Sequence, residues 1–160
     1  LHLSVHSFPT RRSSDLEQEQ QPLVLKTAGH YLSKITEGAY KQVFAPLGED
    51  EIKVVAYNNE TKNPDQLSRG TAEQLYLSLR FGYMDNAGNQ SERLPVIMDD
   101  ILVNFDQKRA ERAAEAVAEL ARTNQVLYFT CHPQTLELFK NADRHPQVFT
   151  LNNWEIHKSV

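Results

Sequence analysis

The 160 residues carry 17 Lys and Arg against 21 Asp and Glu, a net charge of −4, with 40% hydrophobic residues, which is one domain's worth of chain with material for a core. The acidic balance excludes nucleic-acid binding through the whole surface and leaves room only for a local basic strip. The single cysteine, Cys131, excludes an internal disulfide and a Cys-rich zinc site and fits a reducing cytoplasm, and no apolar run approaches the length of a membrane span.

The chain opens with LHLSVHSFPTRRSSDL, which lacks an initiator Met and matches nothing downstream. Its part HSFPTRRSSDL, His6 to Leu16, resembles the translation of a short-read sequencing adapter. Residues 1–16 are therefore set apart as non-native and expected to be disordered or poorly packed, with the natural protein extending upstream of Glu17. After the polar EQEQQ, Leu25, Ala28, Leu32, Ile35 and Ala39 recur at spacings of three and four, a helical stripe that Gly38 ends. AYKQVF and EIKVVAY read as strands joined by the turn-rich APLGED, a β-hairpin, with Ala39 assignable to either element.

NNETKNPDQ is a polar loop, and LSRGTAEQLYLSLRFGYM then feeds a Ser/Gly/Thr turn into an apolar helix. Thr71 and Gln74 have capping-box spacing at its start, with Ser68 as an alternative cap. Beyond a second loop, DNAGNQSER, come a strand from Leu94 to Met98 and a helix from about Gln107 to Arg122 with Ala113, Val117, Leu120 and Ala121 on one face. A buried-type strand VLYFTC, a helix near Thr135 to Lys140 and a strand near Gln147 to Leu151 follow. Strand, helix, strand, helix, strand predicts right-handed crossovers and a parallel sheet, with ligands beyond the carboxyl ends of its strands.

Two strands end in polar chemistry: VIM delivers Asp99 and Asp100, and VLYFT delivers Cys131 and His132. On neighbouring parallel strands these groups share one edge. Alternation along a strand sends Asp99 and Asp100 to opposite faces, so one carboxylate suits Mg²⁺ and the other a water to be activated. The same alternation predicts that Cys131 and His132 diverge and make a poor nucleophile pair. At LSRGT, the helix N-terminus, the Ser68 hydroxyl, the Arg69 charge and the close approach allowed by Gly70 suit a phosphate. Taken singly, these features are a solvated strand end, a structural histidine and a capped helix start; their order is what carries information.

Together LSRGTAEQLYLSLR, LPVIMDDILVNFD and VLYFTCH, within a span from about Leu25 to Phe139, resemble the C-terminal half of an ABC-type ATPase head of the SMC/RecN/SbcC class, in its YhaN-like branch. The resemblance implies an α/β P-loop NTPase lobe with a mostly parallel sheet and flanking helices, preceded by a helix and a short β-hairpin. It makes Ser68, Arg69, Gly70 and Thr71 the signature that contacts the γ-phosphate of ATP held by an opposing head. Asp99 would hold Mg²⁺ through water, Asp100 would be the general base, Asn104 and Asp106 the D-loop, and His132 the switch histidine. Arg69 and Thr71 depart from the commonest signature, and Asp100 stands where most ABC proteins have Glu, a shorter reach to the water. The sequence contains no G-x-x-x-x-G-K-[ST].

The expected division is 1–16 non-native, 17–38 the helix at the base of a coiled-coil arm, and 39–160 the C-terminal half of the head. The expected function is a fragment of an ATPase that hydrolyses ATP between dimerised heads in DNA repair or chromosome maintenance, inactive alone. Its partners would be a second head, an N-terminal P-loop half, a nuclease subunit and DNA. The alternatives are a non-catalytic module for dimerisation or nuclease docking, and a metal-dependent phosphohydrolase using Asp99, Asp100, Asp106 and His132, which leaves LSRGT unexplained. A fragment also predicts an unpaired edge or an exposed apolar face.

Overall fold

The computed structural model describes residues 11–46, 51–87, 94–142 and 146–159. Helix α1, Arg11–Ile35, buries Ala28, Leu32 and Ile35 of the expected stripe, together with Tyr31. Its backbone runs back across the boundary drawn at Glu17, whereas residues 1–10 lie outside the described residues. At its end the Thr36 hydroxyl donates to the Leu32 carbonyl at 2.7 Å and the Gly38 N–H donates to the Ser33 carbonyl at 2.8 Å. Gly38 takes the left-handed φ of +78° that such a C-terminal cap requires.

The hairpin forms as β1, Tyr40–Phe44, antiparallel to β2, Lys53–Ala56; residues 47–50 of its connection lie outside the described residues. The stretch read as a plain polar loop contributes a third strand, β3, Thr61–Lys62, paired with β2, followed by a 3₁₀ turn at Pro64–Gln66. Helix α2, Arg69–Ala87, packs along α1. Its cap is Ser68 and not Thr71: the Thr71 N–H donates to Ser68 Oγ at 3.2 Å, which places Thr71 in the first turn, buried. The expected loop DNAGNQSER begins as the end of α2, and residues 88–93 lie outside the described residues.

Strand β4, Val96–Asp99, helix α3, Gln107–Leu120, and strand β5, Val126–Phe129, form the parallel unit predicted, in register from Val96↔Val126 to Asp99↔Phe129. Asp106 caps α3 by accepting from the Arg109 N–H at 3.0 Å. Because α3 stops at Leu120, Ala121 is exposed and does not join the buried face of Ala113, Val117 and Leu120. Helix α4 spans Pro133–Ala142.

The last strand differs from expectation. Strand β6, Val148–Asn152, pairs antiparallel with β7, Glu155–Ser159, and does not extend the parallel pair. Asn153 and Trp154 both have positive φ, 49° and 66°, as a tight two-residue hairpin turn demands, so the chain finds its partner locally.

Among the described residues the core lies in two buried clusters, one of Leu32, Val43, Val54 and Leu75 under the antiparallel sheet, the other joining Tyr31, Ile35 and Phe81 to Val96, Met98 and the inner face of α3. Among the described residues only one face of the parallel pair is covered. Val96 and Met98 point inward, whereas Ile97 is 69%, Leu127 41% and Phe129 56% exposed, so VLYFTC is not the buried strand its composition suggested. These side chains form an exposed apolar face on β4 and β5.

Candidate functional site

Parallel pairing of β4 with β5 brings the ends of both strands to one edge, and Asp100 N–H donates to the Phe129 carbonyl at 3.0 Å, carrying the ladder one residue beyond β4. There Asp100 leaves the strand with φ of +43°, a conformation that Asp tolerates better than most residues. Its carboxylate is thereby directed onto the segment after β5. Oδ1 accepts from the Thr130 hydroxyl, while Oδ2 lies 3.7 Å from Cys131 Sγ and 3.8 Å from His132 Nε2. The Thr130 hydroxyl in turn accepts from the His132 N–H at 3.1 Å, and the His132 carbonyl accepts the Thr135 N–H of α4 at 3.0 Å. The imidazole is thus tied to both the strand end and the helix start.

The Thr130 hydrogen bond, first among several causes, outweighs desolvation and with His132 and Cys131 holds the Asp100 carboxyl below its ordinary value. Asp100 is therefore an anion across the neutral range. Behind it, the Leu102 N–H donates to the Tyr128 hydroxyl at 3.3 Å, bracing the turn after β4, and burial pushes the Tyr128 phenol up to about 12.

Asp99 is exposed at the end of β4. Ser68, Arg69, Gly70 and Thr71 occupy the start of α2, where Ser68 Oγ meets Thr71 Oγ1 at 2.8 Å and Arg69 Nε meets Glu73 at 3.2 Å. A methyl group on Gly70 would lie 2.9 Å from Arg109 Nη1, so the signature turn sits against the start of α3. Arg109 is itself held by Asp106 at 3.1 Å. Asn104 is exposed in the turn before α3, and Asp106 is occupied by its cap and this ion pair, so Asp106 does not join the Asp100–His132 group.

Of the residues expected at the strand ends, Asp100 and His132 come together. Cys131 joins them, contrary to the expected divergence, because residues 130–132 are irregular backbone in which strand alternation no longer applies. Sequence reasoning missed Thr130, whose signal was only its place before Cys131, and Arg109, which had none.

Against solved structures, the chain superposes with a TM-score of 0.66 on one from work on ATP-driven dimerization and DNA-stimulated activation of SMC ATPases, covering 91% of this chain and 89% of the other at 12% identity. The SMC head domain of Thermotoga maritima superposes with a TM-score of 0.60 at 15% identity, covering 91% of this chain and 51% of the other. An SMC head of Pyrococcus furiosus, bound to the C-terminal domain of ScpA, gives 0.64 at 12% identity, covering 93% of this chain and 37% of the other. The chain has the fold of an SMC ATPase head. In sequence it is 34% identical over 122 residues to the uncharacterized protein YhaN of Bacillus subtilis, a match that takes in 76% of this chain and 13% of YhaN. No protein-family model matches. In this chain the three sequence motifs lie on α2, β4 and the end of β5, and the exposed Ile97–Leu127–Phe129 face belongs to the sheet that carries two of them. No helix among the described residues is long and apolar enough to cross a membrane.

Proposed function

We propose that the chain is the C-terminal half of an ATPase head that binds and hydrolyses ATP between two dimerised heads. The observation that carries the reading is the convergence of Asp100 and His132 at adjacent ends of β4 and β5, within an SMC-type fold. Asp99 fits Mg²⁺, since an exposed carboxylate completed by phosphate oxygens and water is the usual donor set of that ion. When bound there, Mg²⁺ supplies positive charge against the phosphate oxygens.

In this reading Asp100, anionic and fixed by Thr130, accepts the proton of the attacking water. His132 stands beside it to sense the γ-phosphate. The Ser68 hydroxyl, Arg69 and the α2 N-terminus at Gly70 and Thr71 would face the phosphate of the opposite head. Asn104 and Asp106 would lie at the head–head contact. The P-loop comes from an N-terminal half, and the uncovered face of Ile97, Leu127 and Phe129 supports a lobe that packs there. Residues 17–38 are the base of a coiled-coil arm, and residues 1–16 are adapter-derived, the first turns of α1 included. DNA repair or chromosome maintenance in the cytoplasm, with DNA and a nuclease subunit as partners, follows from the resemblance.

The test is to assay the chain with Mg²⁺ and ATP alone and after addition of an N-terminal P-loop segment from a YhaN-like head. Turnover is expected only in the mixture, and Asp100→Asn lowers it by about 10²–10⁴-fold, the usual contribution of a general base. Turnover by the isolated chain, abolished by Asp100→Asn, overturns the reading.

A further inference from the structure

The ends of β4 and β5 bring Cys131, which has no part in the ATPase reading, onto Asp100 and His132, which have one. Asp100, Cys131 and His132 offer one oxygen, one sulfur and one nitrogen, and these atoms all lie within 4.8 Å of one another. The geometry points to a second metal site, of the Zn²⁺ class, distinct from the Mg²⁺ position at Asp99.

Ordinary Zn²⁺ bond lengths arranged tetrahedrally place ligand atoms roughly 3.3–3.6 Å apart. Asp100 Oδ2 is already 3.7 Å from Cys131 Sγ and 3.8 Å from His132 Nε2, so contraction by a few tenths of an ångström brings both pairs to ligand spacing, while the Cys131–His132 pair, within 4.8 Å, closes by up to about 1.3 Å. The carboxylate is prepared for single-oxygen ligation. Thr130 holds Oδ1, which leaves Oδ2 facing the sulfur and the imidazole, the kind of supporting hydrogen bond that orients metal ligands. Mixed sulfur and nitrogen donors favour Zn²⁺ and its thiophilic relatives over Mg²⁺. Three protein ligands leave a fourth position for water, and on binding the Cys131 thiol gives its proton to solvent. The consequence rests on the ATPase reading: a Zn²⁺ on Oδ2 occupies the oxygen that would accept the proton from water, so it arrests hydrolysis while leaving Asp99 free.

Cys131 is the single cysteine, so its alkylation by iodoacetamide in the full chain reports this site alone. Zn²⁺ is expected to slow the reaction at concentrations where Mg²⁺ has no effect. Co²⁺ is expected to give a thiolate charge-transfer band, lost in Cys131→Ser and diminished in Asp100→Asn and His132→Ala. Thr130→Val, which keeps all three ligands, weakens Zn²⁺ affinity on the order of 10–100-fold. An alkylation rate unchanged by saturating Zn²⁺ overturns the site in the unmodified chain, whatever the folding of the variants. A cobalt band that survives both Asp100→Asn and His132→Ala marks binding by cysteine alone and overturns the triad. Neither measurement involves a nucleotide, so failure here is separable from failure of the ATPase reading.

Discussion

Gly82→Ala tests whether the α1–α2 contact is set by backbone approach. A methyl group at this buried position would lie 2.6 Å from the Val24 carbonyl oxygen, 2.8 Å from the Ala28 nitrogen and 3.1 Å from Ala28 Cβ. The two nearest atoms are backbone of α1 and cannot rotate away. Restoring an ordinary 3.4 Å contact from 2.6 Å moves the helices apart by about 0.8 Å. A gap of that size forfeits roughly a quarter to a half of each dispersion contact it opens. The edge-on Tyr31–Phe81 pair, with centroids 5.4 Å apart, and the Asn86–Thr27 hydrogen bond of 3.0 Å both span the same seam. Overpacking of this kind costs about 1–3 kcal/mol, and exchanging Gly for Ala in a helix returns about 0.8–1 kcal/mol. Because the two nearest atoms are backbone, the cost falls in the upper part of that range, and a net loss of about 1–2 kcal/mol is expected, read as a lower urea midpoint with an unchanged slope. Ala28→Gly should not rescue it, because the Ala28 methyl is the farthest of the three atoms. A Gly82→Ala chain as stable as the parent, or one restored by Ala28→Gly, refutes this account.

Gly70→Ala should behave oppositely, since its methyl group meets only the far end of the Arg109 side chain. Stability is expected to stay within about 1 kcal/mol of the parent or rise, while ATP turnover by the complex with the P-loop segment is lost; matched losses of stability and turnover would argue for a purely structural glycine. Glu119, on α3, joins α1 through His30 at 2.8 Å and Lys34 at 2.5 Å. Burial raises its pKa, but the hydrogen bonds from Lys34 and His30 prevail and hold it below the ordinary 4.5. A depressed folded value means that this stabilisation is present above pH 4.5 and is lost as pH falls through the folded value. Glu119→Gln should remove about 0.5–1 kcal/mol at neutral pH, as expected for a part-exposed pair. The variant should also show a shallower decline of urea midpoint in acid, and identical acid slopes in variant and parent contradict the assignment.

The division between sequence and tertiary structure runs along the reach of periodicity. The stripe of Ala28, Leu32 and Ile35, the β1–β2 hairpin and the β4–α3–β5 order were legible because burial imposes a repeat on side chains within one regular element. So was the arrival of Asp100 and His132 at one edge, since parallel strands carry their ends to the same side. Beyond the last regular residue that logic stops. Asp100 turns out of β4 at φ of +43°, and Thr130 to His132 follow no strand alternation, so the meeting of Cys131 with Asp100 is decided by dihedral angles and hydrogen bonds across the strands. Exposure is likewise a property of neighbours. Ile97, Leu127 and Phe129 have the composition of a sheet core, but only packing decides whether a strand face is covered, and here α3 and α4 lie against the opposite face.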